Sequence, residues 1–406
     1  MTRTGLLVPA LALAAACSSS HDAPPADAAG PGPDAPLDAG SDTTCARTAA
    51  AADRPRHIVV AHPFGPDTGS GSPPSGAFEV LDLTAAGTIT RAQHTFTMGP
   101  TSFGTIAFTQ DGRVGVVADD RGKLGVFTLA DDGTATVVAS QLVLPYYAGK
   151  LVMDPSGGMV WVIDGDTGSN GGGIYRVDLA CDGTPTDRGL VAAGSTPGGL
   201  AFSGDRAIVA AGAMLDSPAH TSAHLLAWGA TPTRIASADG FGDDMASIGG
   251  TALTADGSTY LIGDTSGFAS VPNRIAVVGV SETGLKSASV IPNVNDPEGI
   301  VASPFGNVAV ATDAFGNAIH ILDDSGSGGT WRVRGDVAYA TGTSPPQLPG
   351  DVATIAVGML RGHVFISEVD KVRQLAFDAT GAVTDLGSLK FGDAVEEALG
   401  AIGVTP

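Results

Sequence analysis

The sequence predicts an all-β chain folded as a seven-bladed β-propeller with four antiparallel strands per blade. Three observations point there. Only 16% of the 406 residues are charged, 57 are glycine, and Val, Ala and Thr are abundant, which suits strands joined by tight turns. A phrase of small residue, apolar strand, turn and second strand recurs, with equivalent positions at Thr105, Lys150, Gly199, Gly250, Gly299 and Thr354 spaced 45, 49, 51, 49 and 55 apart. Each copy continues into two further strands with no helical periodicity, the pattern of a propeller blade.

The chain begins with a segment outside this fold. Arg3 precedes an apolar stretch, Leu6–Ala16, too short to span a bilayer. It ends in LAAAC, followed by SSS. Small residues before Cys17 resemble the lipobox of bacterial lipoproteins, with Ala14 where that pattern most often has Leu. The resemblance implies a signal peptide over 1–16, lipidation of Cys17, and a chain held at the cell envelope facing the periplasm or exterior. Ordinary secretion with a cut near Ala16 is the other reading. Residues 17–53 are rich in Pro, Ala, Asp and Ser with almost no large apolar group, so they read as a disordered tether. With Cys17 set aside, Cys45 and Cys181 form an even pair that is either disulfide-bonded or two separate thiols.

The propeller is assigned to 54–406. Blade 1 has a second strand in HIVVAHPF (57–64), a third in GAFEVLDL (76–83) and a fourth in TITRAQHTF (88–96), but no first. Blades 2 to 7 follow in order, opening near Ser102, Ala148, Pro197, Gly249, Pro297 and Val352. GAIGVTP at the C-terminus aligns with GTIAFTQ of blade 2, so a strand at about 398–405 supplies the missing one and closes the ring. DPEGIVASPFGNVAVATDAFGNAIHILDD (296–324) resembles the YVTN repeat, and the whole of 54–406 is similar to lactonase-like seven-bladed propellers. That resemblance implies the fold; the family hosts binders and enzymes alike.

Connectivity sets an orientation. Loops leading into first strands and loops from second to third strands share one end, here called the top. The tether, Pro406 and Cys181 fall at the other end, the bottom, so the top faces away from the lipid.

The net charge of -21 excludes a nucleic-acid partner, which needs clustered cations. Acid gathers at the top. Second strands end in His62, Asp119, Asp164, Asp264, Asp313 and Glu368, and leading loops add Asp243, Asp244, Asp296, Glu298, Asp351, Glu396 and Glu397. This is either a funnel for a divalent cation such as calcium or a basic ligand, or a set of turn-capping acids. DGDTGSN (164–170) is a poor calcium loop, and His220 and His224 in HTSAH read as a surface pair. The PRH at 55–57 matches a motif of lactonase-type propellers but opens a second strand at the bottom. Tyr146, Tyr147, Phe241 and Phe268 are top-end aromatics, read as plugs between blades.

Two functions follow. The leading expectation is a monomeric, lipid-anchored platform whose acidic top binds a protein, a polysaccharide or a small ligand, with no cofactor beyond a possible cation. The alternative is a lactonase-like hydrolase at the channel mouth, using Glu298, Asp313, Glu368 and His62. Convergence separates them: a catalytic site needs a Lys, Arg or His aimed inward among the acids.

Overall fold

The computed structural model describes residues 45, 47–50, 54–63, 76–98, 105–118, 123–138, 142–144, 148–165, 172–217, 222–241, 247–265, 273–316, 318–327, 330–337, 349–391 and 399–406. The blades lie within the compact unit Thr43–Pro406.

The chain forms seven small antiparallel sheets arranged as a seven-bladed propeller. Blade 1 pairs Ile402–Val404, Arg56–His62, Ala77–Leu83 and Ile89–Thr97 in that order. The C-terminal strand therefore completes the first blade, with Ile402 opposite Val60 and Val404 opposite Ile58. It is shorter than the sequence suggested, three residues, but Gly400 N–H to Ala61 O (3.0 Å) and Thr405 N–H to His57 O (2.9 Å) extend the pairing at both ends. Blades 5, 6 and 7 each use four consecutive strands. The fourth strand of blade 2 is split into Ala135–Val137 and Leu142–Val143. Blade 3 gains a fifth strand, Ala213–Met214, lent by the blade 4 segment of the chain.

Second strands are buried on both faces, which is why they read as unbroken apolar runs. In Arg56–His62, Ile58 and Val60 face blade 7 and pack with Phe365 and Val372, while Val59 and Ala61 face blade 2 with Ile106 and Phe127. Seven such clusters fill the seven seams between blades. Fourth strands lie outermost and show it: Val383–Lys390 is exposed over most of its length.

At the bottom, the segment before blade 1 runs across the turns of blades 2 and 3. Cys45 is disulfide-bonded to Cys181, and Cys45 N–H bonds Leu179 O at 3.2 Å. Arg47 pairs with Asp111 (2.9 Å) and donates to Ala180 O, and Arg54 pairs with Asp131 (2.8 Å). Arg56 and His57 of the PRH sequence also lie at this end, Arg56 donating to Val357 O and His57 touching Asp82 and Asp131 O.

One alignment needs correction. Pairing places Val352 opposite Ile366, two residues before Glu368, as Ile300 opposes Ala311 two before Asp313. The blade 7 residue equivalent to Gly299 is therefore Asp351, not Thr354. The blade's turn between first and second strands, 355–362, is longer than its counterparts and misled the spacing.

Candidate functional site

The corrected register defines a ring of seven equivalent residues at the upper end of the innermost strands: Thr105, Lys150, Gly199, Gly250, Gly299, Asp351 and Ala401. These line the top of the channel. Five are small, because the strands approach closely at the axis. Gly250 N–H bonds Pro297 O of the next blade at 2.7 Å, and a Cβ on Gly249 would come within 2.4 Å of that same carbonyl. The two charged members, Lys150 and Asp351, stand on blades 3 and 7.

Lys150 Nζ reaches past blade 4, where its equivalent is Gly199, and donates to the Gly249 carbonyl on blade 5. Its charge is felt by Glu298 and Asp351. Enclosure by protein lowers its pKa, and those two carboxylates oppose the shift. Asp351 accepts from its neighbour Val352 N–H (2.9 Å) and from Ile402 N–H of the closing strand (3.1 Å). Burial pushes its carboxyl up to about 6, against those two amides and Lys150. Glu298 stays reachable by solvent, yet protein surrounds it closely enough to raise its pKa, with Lys150 pulling the other way. Part of its side chain meets solvent while the protein crowded around the carboxyl hinders full hydration of the charge.

Asp296 completes the group. It is 6% exposed and adopts the left-handed backbone conformation (φ 58°), which among non-glycine residues Asp and Asn tolerate best. Burial first, then the charges of Glu298 and Asp313, push its pKa up to about 8. Near pH 7 Asp296 keeps its proton, and the charges of Glu298, Asp351 and Lys150 act on one another at this end of the ring. Perturbed groups that act on one another are candidates for a functional site.

The second-strand acids play a different part. Each described one lies inside its blade and meets a partner on the third or fourth strand. Asp264 pairs with Arg274 at 3.2 Å, and Arg274 lies over the buried Phe241 ring at 4.7 Å. Asp313 meets His320 Nε2 at 3.0 Å, whose Nδ1 meets Asp336 at 2.6 Å. Burial works against the His320 charge, but the two carboxylates outweigh it and raise the pKa. Glu368 pairs with Arg373 at 2.5 Å, which reaches on to Asp385 at 2.6 Å. In blade 1 the polarity is reversed: His62 lies 3.5 Å from Glu79, which is held by Arg91 at 2.6 Å. Asp164 is 1% exposed and acts on Tyr175. In blades 1, 5, 6 and 7 these side chains form a polar seam and are engaged in holding it.

His224 is not on the surface. It is fully buried in the third strand of blade 4, with Nδ1 at 3.0 Å from Ser237 Oγ and Nε2 at 3.2 Å from Ala211 O. It fills the seam position that blade 4 lacks, since its second strand ends in Ala211. Asp119, Asp166, Asn170, His220, Asp243, Asp244, Glu396, Glu397, Tyr146, Tyr147, Phe268 and Cys17 lie outside the described residues. Among the described residues no group of three or more His, Cys, Asp or Glu is arranged to hold a metal ion.

Of the sequence candidates, the structure brings together Asp296, Glu298 and Asp351. The residue missed was Lys150, which served only as a marker of the repeat. The signal was present: it is a lysine at a position that is otherwise Gly, Ala or Thr in five blades.

No protein-family model matches the chain, and no curated protein matches it. Solved structures do. A periplasmic gluconolactonase of Pseudomonas aeruginosa superposes with a TM-score of 0.59 at 13% identity, covering 86% of this chain and 99% of that one. A provisionally assigned 6-phosphogluconolactonase of Bacteroides fragilis gives 0.59 at 11% identity, over 88% and 100%. A protein of Lactobacillus plantarum gives 0.61 at 12% identity, over 87% and 100%. At these identities the likeness is one of fold.

Proposed function

We propose that this chain is a hydrolase that opens cyclic esters (lactones) at the top of its channel, with Lys150, Glu298, Asp296 and Asp351 as the working group. The observation that carries the reading is Lys150: an inward-aimed cation among carboxyls of raised pKa is what separates a catalytic mouth from an acidic platform. The gluconolactonase among its structural neighbours makes lactones the first substrates to try. We place it outside the cytoplasm, with 1–16 as signal peptide, lipid on Cys17 and 17–53 as tether, on the strength of the LAAAC sequence, the disulfide and the extracytoplasmic neighbour.

In this mechanism Lys150 donates to the lactone carbonyl oxygen, where negative charge grows as water attacks. Glu298 takes the proton from that water. The water oxygen bonds to the acyl carbon, the ring C–O bond breaks, and the ring oxygen receives the proton of Asp296. The products are a hydroxyl and a carboxylic acid, which releases its proton to solvent, and the proton held by Glu298 returns to Asp296 through water, restoring both carboxyls. Asp351 orients the ammonium; its own oxygens are committed to two amides.

The test is ring opening of glucono-δ-lactone, followed as acid release at constant pH. Lys150→Met and Glu298→Gln should each lower kcat/KM by roughly 10²–10³. Activity should also fall as pH rises through about 8, where Asp296 loses its proton. A wild-type rate no greater than spontaneous opening across simple γ- and δ-lactones would rule the reading out.

A further inference from the structure

We infer that Asn295 and Asp313 of blade 6 are positioning residues for the mouth, fixing the loop that carries Asp296 and Glu298. The inference rests on the hydrolase reading and names further residues that serve the same site.

Residues 293–298 lead into the first strand of blade 6. Two of them, Asn293 (φ 62°) and Asp296 (φ 58°), hold the left-handed backbone conformation. Outside glycine that conformation is costly and persists where surrounding contacts impose it. Here contacts come from both sides. From blade 5, Asn273 O accepts the Asn293 N–H (3.1 Å), and Asn273 Nδ2 donates to Asn295 Oδ1 (3.0 Å). From the end of the second strand of blade 6, Ala314 N–H donates to Asp296 O at 3.4 Å. Beside it, Asp313 Oδ2 accepts from Asn295 Nδ2, also at 3.4 Å. Val294 is fully buried in the seam between blades 5 and 6.

Asp313 is itself held. Gly316 N–H donates to Oδ1, and His320 Nε2 stands 3.0 Å from Oδ2. The other nitrogen of His320 is fixed by Asp336 at 2.6 Å, an exposed side chain on the outermost strand. A line of contacts thus runs from the rim of blade 6 to the mouth: Asp336, His320, Asp313, Asn295. Its inner end meets the loop one residue before Asp296.

Charge acts along the same line. After burial, the charges of Glu298 and Asp313 keep the proton on Asp296 that the ring oxygen is to receive. The charges that act on His320 are those of Asp313 and Asp336. In blade 5, Arg274, next to Asn273, is paired with Asp264.

The experiment uses the full chain as wild type, Asn295→Ala and Asp313→Asn. The control is Glu79→Gln, which changes a seam acid of blade 1. One readout is kcat and KM for glucono-δ-lactone along the alkaline limb. The other is the titration of the Asp296 carboxyl by NMR, assigned by its loss in Asp296→Asn. Asn295→Ala should lower kcat by about tenfold or more with KM nearly unchanged, because the acid is misplaced and the lactone is not. Asp313→Asn should move both the alkaline limb and the Asp296 titration below the wild-type value of about 8. Glu79→Gln should change neither. An Asp296 titration unaltered by Asp313→Asn, an equal shift in Glu79→Gln, or an unchanged kcat in Asn295→Ala overturns the inference and leaves the hydrolase intact. A wild-type rate no greater than spontaneous opening overturns the hydrolase reading instead, and the NMR titration then decides the inference by itself.

Discussion

Asp296 is where the cost of the site is concentrated. Its carboxyl keeps a proton to about pH 8 in the fold, whereas an unfolded Asp loses it near 3.8. Between those values the native state binds more protons than the unfolded state, so stability falls as pH rises. The penalty starts near pH 4 and is complete by about pH 8. Asp296→Asn removes it, since the amide does not ionise and Asn accepts the left-handed backbone. The variant should be more stable than wild type at pH 9, by up to about 6 kcal/mol for that shift, with little difference at pH 4. Urea unfolding at both pH values measures this. A variant less stable at pH 9 would mean that the native Asp296 is ionised and well paired. The acids of the bottom turns behave oppositely. Asp132, Asp182 and Asp378 accept backbone N–H bonds within their own turns and sit below the ordinary carboxylate range. Much of the chain's acid is therefore turn chemistry and says nothing about a ligand.

At the scale of one blade, the polar seam explains why second strands end in charge. An apolar blade interior would leave the top open to water. A chain of acid, cation and acid ties second, third and fourth strands together there. In blade 7 this chain is Glu368, Arg373 and Asp385, with Lys371 at 3.6 Å from Glu368. Arg373→Met should cost about 3–5 kcal/mol, because Glu368 is left buried without its main partner. The double change Glu368→Gln with Arg373→Met should recover much of that loss, since both charges go together. Equilibrium unfolding of the three variants decides it. A loss below 1 kcal/mol for the single change would show the pair to be no more than a surface contact.

At the scale of the molecule, the ring is held shut where the chain's two ends meet. Ile402–Val404 gives blade 1 its innermost strand, and Asp351 accepts the Ile402 N–H from blade 7. Deleting 402–406 would uncover Ile58 and Val60, expose a strand edge, and free one side of Asp351. The shortened chain should aggregate or lose its cooperative melt, read by light scattering and calorimetry. A monomeric chain with an unchanged Tm would show that closure contributes nothing. The same deletion takes away the Ile402 N–H that Asp351 accepts, so stability and the proposed site share this seam.

The sequence by itself determined the repeat, the four strands of a blade and the completion of blade 1 by the C-terminus. All of these follow from local chemistry: alternation, turn residues and spacing are written residue by residue. It named Asp296, Glu298 and Asp351 but could not separate them from Asp264, Asp313 and Glu368, because both sets are acids at strand ends. Only the tertiary structure decided that. The seam acids find cations on the next strand of their own blade, five to ten residues away in sequence. The mouth acids meet a single lysine supplied by another blade, about 150 and 200 residues earlier. Lys150 looks like any repeat residue until the ring closes and turns it toward the axis, and ring closure is a property of seven blades together.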